Sequence, residues 1–304
     1  MDTKQIEYIL KIAEENNITR AAEKLFITQS ALNQQLLKLE KELGTPLFHR
    51  SRSHWGLTEA GQIYVEGARQ ILQMKNTTYN RIYDVAGAKR GTLTIGLTPG
   101  RGLKMFTAIY PQLHQDFPNL KVRPIEMRVR EQQEAIAKGT IDIGFMTLGK
   151  QDRTNDQYIV LGQEELMLII PALHPAAEKT GNSKDSIPTI DLKELEYEPF
   201  VLMDQESTLR SICNQVFERS GFVPNILFET NNTSGIASMV ESTLCCGIIP
   251  WYYVQEPSEK LARFHLEHTP TWDVAVSYSK SAYLSSGARE FIQLARDWWN
   301  TACS

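Results

Sequence analysis

Apolar positions along the first ninety residues recur with a helical period. Ile6, Ile9, Leu10 and Ala13 fall at i, i+3, i+4 and i+7, the spacing of a helix with one buried face, and Asn16-Asn17 supply a polar stop, so a first helix is expected over about 3–15. Thr19 offers a cap for a short second helix through TRAAEKLF, in which the small Ala21 and Ala22 permit close helix contact and Leu25 and Phe26 close the core. Thr28 offers another cap. The run TQSALNQQLLKLEKELG places Leu32, Leu36, Leu39 and Leu43 on one face, with Gly44 just past the end as a helix stop. Helix, short helix, tight turn and helix outline a helix-turn-helix unit.

A long helix is predicted from the cap Thr58, with Glu59 in its first turn, to about Lys89, where Gly91 ends it. Val65, Ala68, Leu72, Tyr79, Ile82 and Ala86 recur along it with a heptad-like period that Lys75 interrupts, which asks for a partner helix. Packing on its own body is the alternative, and dimerisation is the reading preferred. From Gly91 the period changes. TLTIGL reads as a strand, LKMFTAIYPQLHQDF as a helix broken near Pro111, VRPIEM as a strand, EQQEAIAKG as a helix and IDIGFMT as a strand, an alternation that builds βαβ units on a mostly parallel sheet. EELMLIIP, FVLMD, ILFET and CGIIP give a second α/β unit, with helices near 207–219 and 233–243, before WDVAVSYS and the terminal helix SGAREFIQLARDWW.

Composition and charge narrow the function. A chain of 304 residues with 42% hydrophobic positions has enough apolar material for two or three cores. Its start, MDTKQIEYILKIAEE, lacks both the basic and the apolar regions of a secretion signal, and no apolar run is long enough to cross a bilayer, so a cytoplasmic protein with no membrane partner is expected. Cys213, Cys245, Cys246 and Cys303 are too few and too bunched for a disulfide framework, and no metal-ligand spacing accompanies them. The net charge of −4 hides an asymmetry: residues 1–90 carry 13 Lys and Arg against 10 Asp and Glu, whereas residues 91–304 carry 19 against 26. Because phosphates respond to local fields within about a Debye length, ~8 Å at physiological salt, the basic amino-terminal module is a candidate for nucleic acid.

The polar face of the third helix carries the chemistry. Thr28, Gln29, Ser30, Asn33, Gln34 and Lys38 sit at or near its amino-terminal half, where short polar side chains on a helix in a major groove reach phosphates and base edges and amides pair with adenine. A plain solvated face is the alternative, and the basic excursion PLFHRSRSHWGLT weighs against it, because His49, Arg50, Arg52 and His54 make it a wing against the DNA backbone.

The run AAEKLFITQSALNQQLLKLEKELGTPLFHR through LTEAG closely resembles the amino-terminal signature of LysR-type transcriptional regulators. Ala21-Ala22, Leu39-Glu40, Leu43-Gly44, Pro46-Leu47-Phe48, Arg50 and Leu57-Thr58-Glu59-Ala60-Gly61 match in order and spacing, and the rest of the chain follows the family's layout. Asn33, where a serine is common, and Leu37, where a basic residue is usual, depart from it. The resemblance implies an α/β protein with a winged helix-turn-helix (1–58), a linker helix that dimerises antiparallel (59–90) and an effector domain shaped like a periplasmic binding protein (91–304), with lobe I at 91–162 and 269–304 and lobe II at 163–268. It also implies double-stranded operator DNA, a second copy of the chain (a homodimer, with a homotetramer built from two such dimers left open) and a small-molecule effector as partners, with RNA polymerase added if the protein activates.

Ligands of open α/β sheets bind outside the carboxyl ends of strands, where helix N-termini point. That rule selects Thr98, Gly100 and Arg101 after the first strand, Arg128 and Val129 after the second, Thr147 at the end of the third, Ser207 and Thr208 at a helix start in the second unit and Asn231 and Thr233 after ILFET. The resemblance places effector contacts at matching positions. Arg101 and Arg128 favour an anionic ligand, with a surface role for each as the alternative, and a hydroxyl at a helix start is also an ordinary cap. No G-x-S-x-G elbow, P-loop or H-E-x-x-H run occurs, so no enzyme, catalytic residue, metal or cofactor is expected. Cys245 and Cys246 read as core residues in preference to a redox pair. The competing reading is a small-molecule binding protein of the periplasmic type with an accessory helical amino terminus.

Overall fold

The structure, a computed structural model, describes residues 2–50, 55–180 and 187–302. Helices α1 (Thr3–Glu15), α2 (Ile18–Lys24) and α3 (Gln29–Leu43) pack through buried Ile6, Ile9, Ile12, Ala21, Leu32, Leu36 and Leu39, the residues that the 3.6 periodicity aligns. Thr28 Oγ1 accepts from the Ala31 amide at 3.2 Å, and Gly44 ends α3 at φ +72°, a left-handed conformation in which glycine carries no Cβ penalty.

Three local expectations are corrected. The cap of α2 is Asn17, whose Oδ1 accepts from the amides of Thr19 at 2.9 Å and Arg20 at 3.1 Å; it stands just before the first helical residue, the position from which a cap reaches those amides. Phe26 does not close the core. It adopts φ +56° in the turn and is 95% exposed, while Leu25 and Ile27 on either side pack inward. Leu43 is exposed as well, because the last turn of α3 runs past the edge of this small core.

Strands β1 (Phe48–Arg50) and β2 (Trp55–Leu57) form an antiparallel ribbon with Phe48 opposite Leu57. Thr58 then caps α4 (Glu59–Val85), accepting from the Gly61 amide at 3.0 Å and donating to the Pro46 carbonyl at 2.7 Å. This helix stops short of Lys89, since Gly87 turns left-handed at φ +62°. Its predicted apolar stripe divides in two. Val65 and Ala68 are buried against the helix-turn-helix core of the same chain, so these two are not available to a partner, while Leu72 is partly buried beside them.

Beyond α4 the described residues form two lobes on one continuous ten-stranded sheet, ordered β4 (Asn119–Glu126), β3 (Arg90–Leu97), β5 (Ile143–Leu148), β12 (Thr271–Tyr278), β6 (Gln157–Pro171), β10 (Cys246–Pro250), β8 (Pro199–Met203) and β9 (Asn225–Thr230), with β11 (Leu261–Leu266) branching from β6 and β7 (Thr189–Ile190) pairing with β11. Lobe I contains β3 (Arg90–Leu97), α5 (Arg101–Asp116), β4 (Asn119–Glu126), α6 (Val129–Ala137) and β5 (Ile143–Leu148), with β3 parallel to both neighbours. The long β6 (Gln157–Pro171) pairs with β12 as far as Glu165 and with β10 from Leu166, so the sheet passes from one lobe to the next within a single strand. Lobe II holds β7 (Thr189–Ile190), β8 (Pro199–Met203), α7 (Thr208–Ser220), β9 (Asn225–Thr230), α8 (Thr233–Glu241), β10 (Cys246–Pro250) and β11 (Leu261–Leu266). Strand β12 (Thr271–Tyr278) and helix α9 (Ser286–Ala302) return to lobe I, where Phe291, Ala295 and Trp299 share a core with Met105, Phe106 and Ile109 of α5.

Helix α5 is not broken at Pro111. Met105, Phe106, Ile109 and Leu113 bury on both sides of the proline, and that burial outweighs the one backbone bond that proline cannot make.

Candidate functional site

Two surfaces carry functional geometry. The first is the exposed face of α3, where Thr28, Gln29, Ser30, Gln34 and Lys38 are exposed and Asn33 is half-buried. Leu32, Leu36 and Leu39 anchor the opposite face, and buried Glu40 accepts from the Leu47 amide at 2.8 Å, which fixes the start of the ribbon against the helix. Phe48 and Trp55 pack with ring centroids 5.9 Å apart, and the exposed His49 stands between them in sequence. The side chain of Arg50, together with Arg52 and His54, lies outside the described residues.

The second surface is a cavity of about 410 Å³ between the lobes. It brings together Thr98, Gly100, Arg101, Arg128, Thr147, Ser207 and Asn231, residues that stand up to 133 positions apart in sequence. The fold does this by aiming helix N-termini at one space: Gly100 precedes α5, Arg128 precedes α6, Ser207 caps α7, and Asn232 caps α8. Partial positive charge at helix starts, together with hydroxyls and amides, makes a donor-rich lining. The buried Thr98 Oγ1 has no hydrogen-bond partner among the described residues, whereas Ser207 Oγ accepts from the Leu209 amide at 3.2 Å and so serves as a cap while lining the cavity. The lobes touch directly where Thr208 Oγ1 donates to the Thr147 carbonyl at 2.8 Å and where Asp152 bonds to Ser211. Burial raises the Asp152 carboxyl above the ordinary range, although its bonds to the Gly149 amide and Ser211 oppose the shift.

Neither arginine is a free anion receptor. Arg101 is only 4% exposed, and its guanidinium forms two bonds to Glu164 on β6, at 2.5 and 2.8 Å. Tyr252, Tyr253, Trp272 and Trp299 surround that guanidinium with ring centroids 4.3–6.0 Å away. Glu164 also accepts from the Tyr252 amide and Trp272 Nε1, both at 2.7 Å, so all of its bonds are made inside the protein. The anion contact expected of the Arg101 side chain is thereby corrected: its charge is matched at the hinge. Arg128, partly exposed, reaches across the cleft mouth to Asp204 at 3.0 Å and Glu206 at 3.1 Å.

Sequence reasoning missed Tyr253, Trp272, Met203, Asp204 and Glu206, which also line the cavity. Two adjacent acids inside the apolar strand LGQEELMLII were a visible sign that a buried cation would be needed. The described cysteines stand inside the cores, where burial pushes the thiols of Cys213 and Cys246 up to about 12 and raises that of Cys245, which disfavours the thiolate. Cys303 lies outside the described residues. Among the described residues no cluster of His, Cys, Asp and Glu is arranged to hold a metal ion.

An exposed apolar stripe remains on α4. Ile71 and Met74 stand three residues apart, as do Ile82 and Val85 eleven residues further on, Met74 being 73% and Val85 91% exposed, with Tyr79 also exposed. Tyr79 and Ile82 from the predicted seam therefore stay accessible and Leu72 partly so, unlike Val65 and Ala68.

Two family descriptions match this architecture: "Bacterial regulatory helix-turn-helix protein, lysR family" over residues 3–62 and "LysR substrate binding domain" over residues 86–300. The chain belongs to the LysR family of DNA-binding transcriptional regulators with an effector-binding domain, a family that is generally non-enzymatic. Among its relatives, the uncharacterized HTH-type transcriptional regulator YcgK of Bacillus subtilis is 26% identical over 98% of this chain and 94% of its own length. The regulator AlsR of the same organism is 29% identical over 82% of this chain and 80% of its own. A full-length OxyR variant from Pseudomonas aeruginosa shares the fold with a TM-score of 0.69 at 22% identity, covering 98% of this chain and 97% of that one. Full-length CbnR complexed with its target DNA has a TM-score of 0.64 at 21% identity, covering 98% and 99%. No described helix is long and apolar enough to cross a membrane.

Proposed function

We propose that this regulator reads its operator with α3, pairs with a second copy through the exposed stripe of α4, and responds to a small molecule held between the lobes. The observation that carries the effector assignment is the cavity itself, on which the starts of four helices from both lobes converge. Thr98, the Gly100 backbone, Thr147, Ser207 and Asn231 are its polar contacts, with Arg128 at the mouth. A ligand there touches both lobes and shifts their relative position only by its differential affinity for the closed arrangement. Gln29, Ser30, Asn33, Gln34 and Lys38 take the bases and nearby phosphates, and the wing residues Arg50 and Arg52 take the backbone. RNA polymerase joins as a partner if the regulation is activation.

The test is a thermal-shift screen of small carboxylates and amino acids on wild type, repeated on Thr98→Val with any molecule that stabilises. The proposal expects a hit whose shift is lost in Thr98→Val, while the affinity of the variant for its own upstream DNA without ligand stays within about twofold of wild type. Equal shifts in both proteins would place the ligand elsewhere.

A further inference from the structure

The cavity between the lobes has two chemically different ends. At the lobe I end α5 opens on it with Gly100, at φ +72°, which has no side chain, and no side-chain oxygen caps this helix among the described residues. Ser207 and Asn232, by contrast, cap α7 and α8. The positive end of the 16-residue α5 is therefore left facing the cavity. Beside it Thr98 Oγ1 is buried and has no partner among the described residues, and it sits so close to the first turn that a Cβ on Gly102 would meet it at 3.0 Å. Thr147, at 7% exposure, lines the wall of the same lobe. A buried hydroxyl next to uncapped amides calls for an acceptor that the protein itself does not supply.

The lobe II end is acidic. Asp204 and Glu206, both on the cavity wall, share the single cation Arg128. Arg101, the other cation of the lining, is matched by Glu164, and Glu229 near the mouth is matched by Arg210 at 2.6 Å. The cavity's two arginines thus face three carboxylates, Glu164, Asp204 and Glu206, which leaves one negative charge in excess at the mouth. Met203, Leu209, Tyr253 and Trp272 add apolar surface to the lining. A simple carboxylate placed here meets donors at one end and unmatched negative charge at the other, whereas a molecule that also carries a cation is complementary to both.

We infer that the effector is a zwitterion, an α-amino acid with an apolar side chain, whose carboxylate accepts from the start of α5 and Thr98 Oγ1 and whose ammonium group is held by Glu206 and Asp204. Its side chain lies against the apolar lining that includes Tyr253 and Trp272. This rests on the cavity being the effector site, as proposed above, and names the class of molecule that the site takes. The carboxylate belongs to lobe I and the ammonium group to lobe II, so the two charges of one small molecule tie the lobes together. Both charges are required, because a charged group that leaves water in the cleft without a matching partner loses hydration and regains nothing.

The experiment is a calorimetric titration of the full-length protein with each of the ordinary α-amino acids. Any that binds is compared with the desamino acid and the amide of the same side chain: for leucine, 4-methylpentanoate and leucinamide. At least one apolar amino acid is expected to bind, at least tenfold more tightly than either of its singly charged analogues. Combining Asp204→Asn with Glu206→Gln should weaken the amino acid at least tenfold and tighten the desamino acid, to which Arg128 is then released. Glu206→Gln alone, on a side chain 73% exposed, should move that ratio the same way by at least threefold, which keeps the test open if the double variant fails to fold. The inference is overturned if no amino acid binds at about 10 mM, if a desamino acid binds as tightly as its amino acid, or if the acid variants leave the ratio unchanged. Thr98→Val separates the two readings. A desamino acid that binds best and is weakened in Thr98→Val leaves the cavity in place and removes only the zwitterion, whereas a ligand bound equally by wild type, Thr98→Val and the acid variants lies outside the cavity and overturns both.

Discussion

The hinge and the mouth of the cleft each contain an arginine that joins elements far apart in sequence, and the two pairs differ in every physical respect. Arg101 and Glu164 are almost wholly buried, are ringed by aromatic side chains and have two further donors on the same carboxylate. Arg128 spans the lobes to Asp204 and Glu206 with its side chain 38% exposed. A buried pair is costly to break because the surviving partner is left charged and desolvated, whereas an exposed pair contributes little net stability. The hinge pair is therefore a fixed structural pin, and the mouth pair is the part of the cleft whose contacts can change at small cost.

Replacing Glu164 with Ala should sharpen that contrast most. It strands Arg101 and also removes the acceptor of Trp272 Nε1 and the Tyr252 amide, so we expect a loss of about 3–5 kcal/mol in chemical denaturation. A loss below about 1 kcal/mol would break the comparison. Ser207→Ala, which removes the cap of α7 beside the cavity, should cost about 1 kcal/mol in the same assay. Arg128→Ala should change stability by about 1 kcal/mol or less, yet speed amide exchange in the first turn of α7, where lobe II meets lobe I.

Asp84 in the last turn of α4, whose carboxylate accepts from Tyr283 Oη at 2.7 Å and the Ser286 amide at 2.9 Å, adds a pH-dependent element. Its folded pKa is lowered, so its contribution is fully present above the unfolded value of about 3.9 and is lost as pH falls through the folded value. The stability difference between wild type and Asp84→Asn should therefore be constant from pH 5 to 7 and shrink below about pH 4.

How far these features could be read from sequence follows from the range of the interactions involved. The helix-turn-helix was legible because α1 and α3 bury one periodic face each and their ends carry local caps, Thr28 and Gly44 among them. The cavity was legible as a set of strand-end loops, because the α/β alternation fixes which ends hold the helix starts. What stayed hidden depended on partners distant in the chain. Arg101 looked like a ligand contact until Glu164, 63 positions later, claimed it. Val65 and Ala68 looked like a dimer seam until α1 covered them, because periodicity marks a buried face without naming what buries it. Asp84 gave no signal except its misfit with its own helix, and its partner Ser286 lies 202 positions away.

The central claim, that α3 reads base edges for a regulator of this family, is tested most directly by Gln34→Ala in a mobility-shift titration against the protein's own upstream region and against unrelated duplex DNA. The prediction is a loss of about 1–3 kcal/mol, roughly 5- to 150-fold, on the specific site, with non-specific affinity nearly unchanged because the phosphate contacts remain. Equal weakening on both DNAs, or none on either, would contradict it.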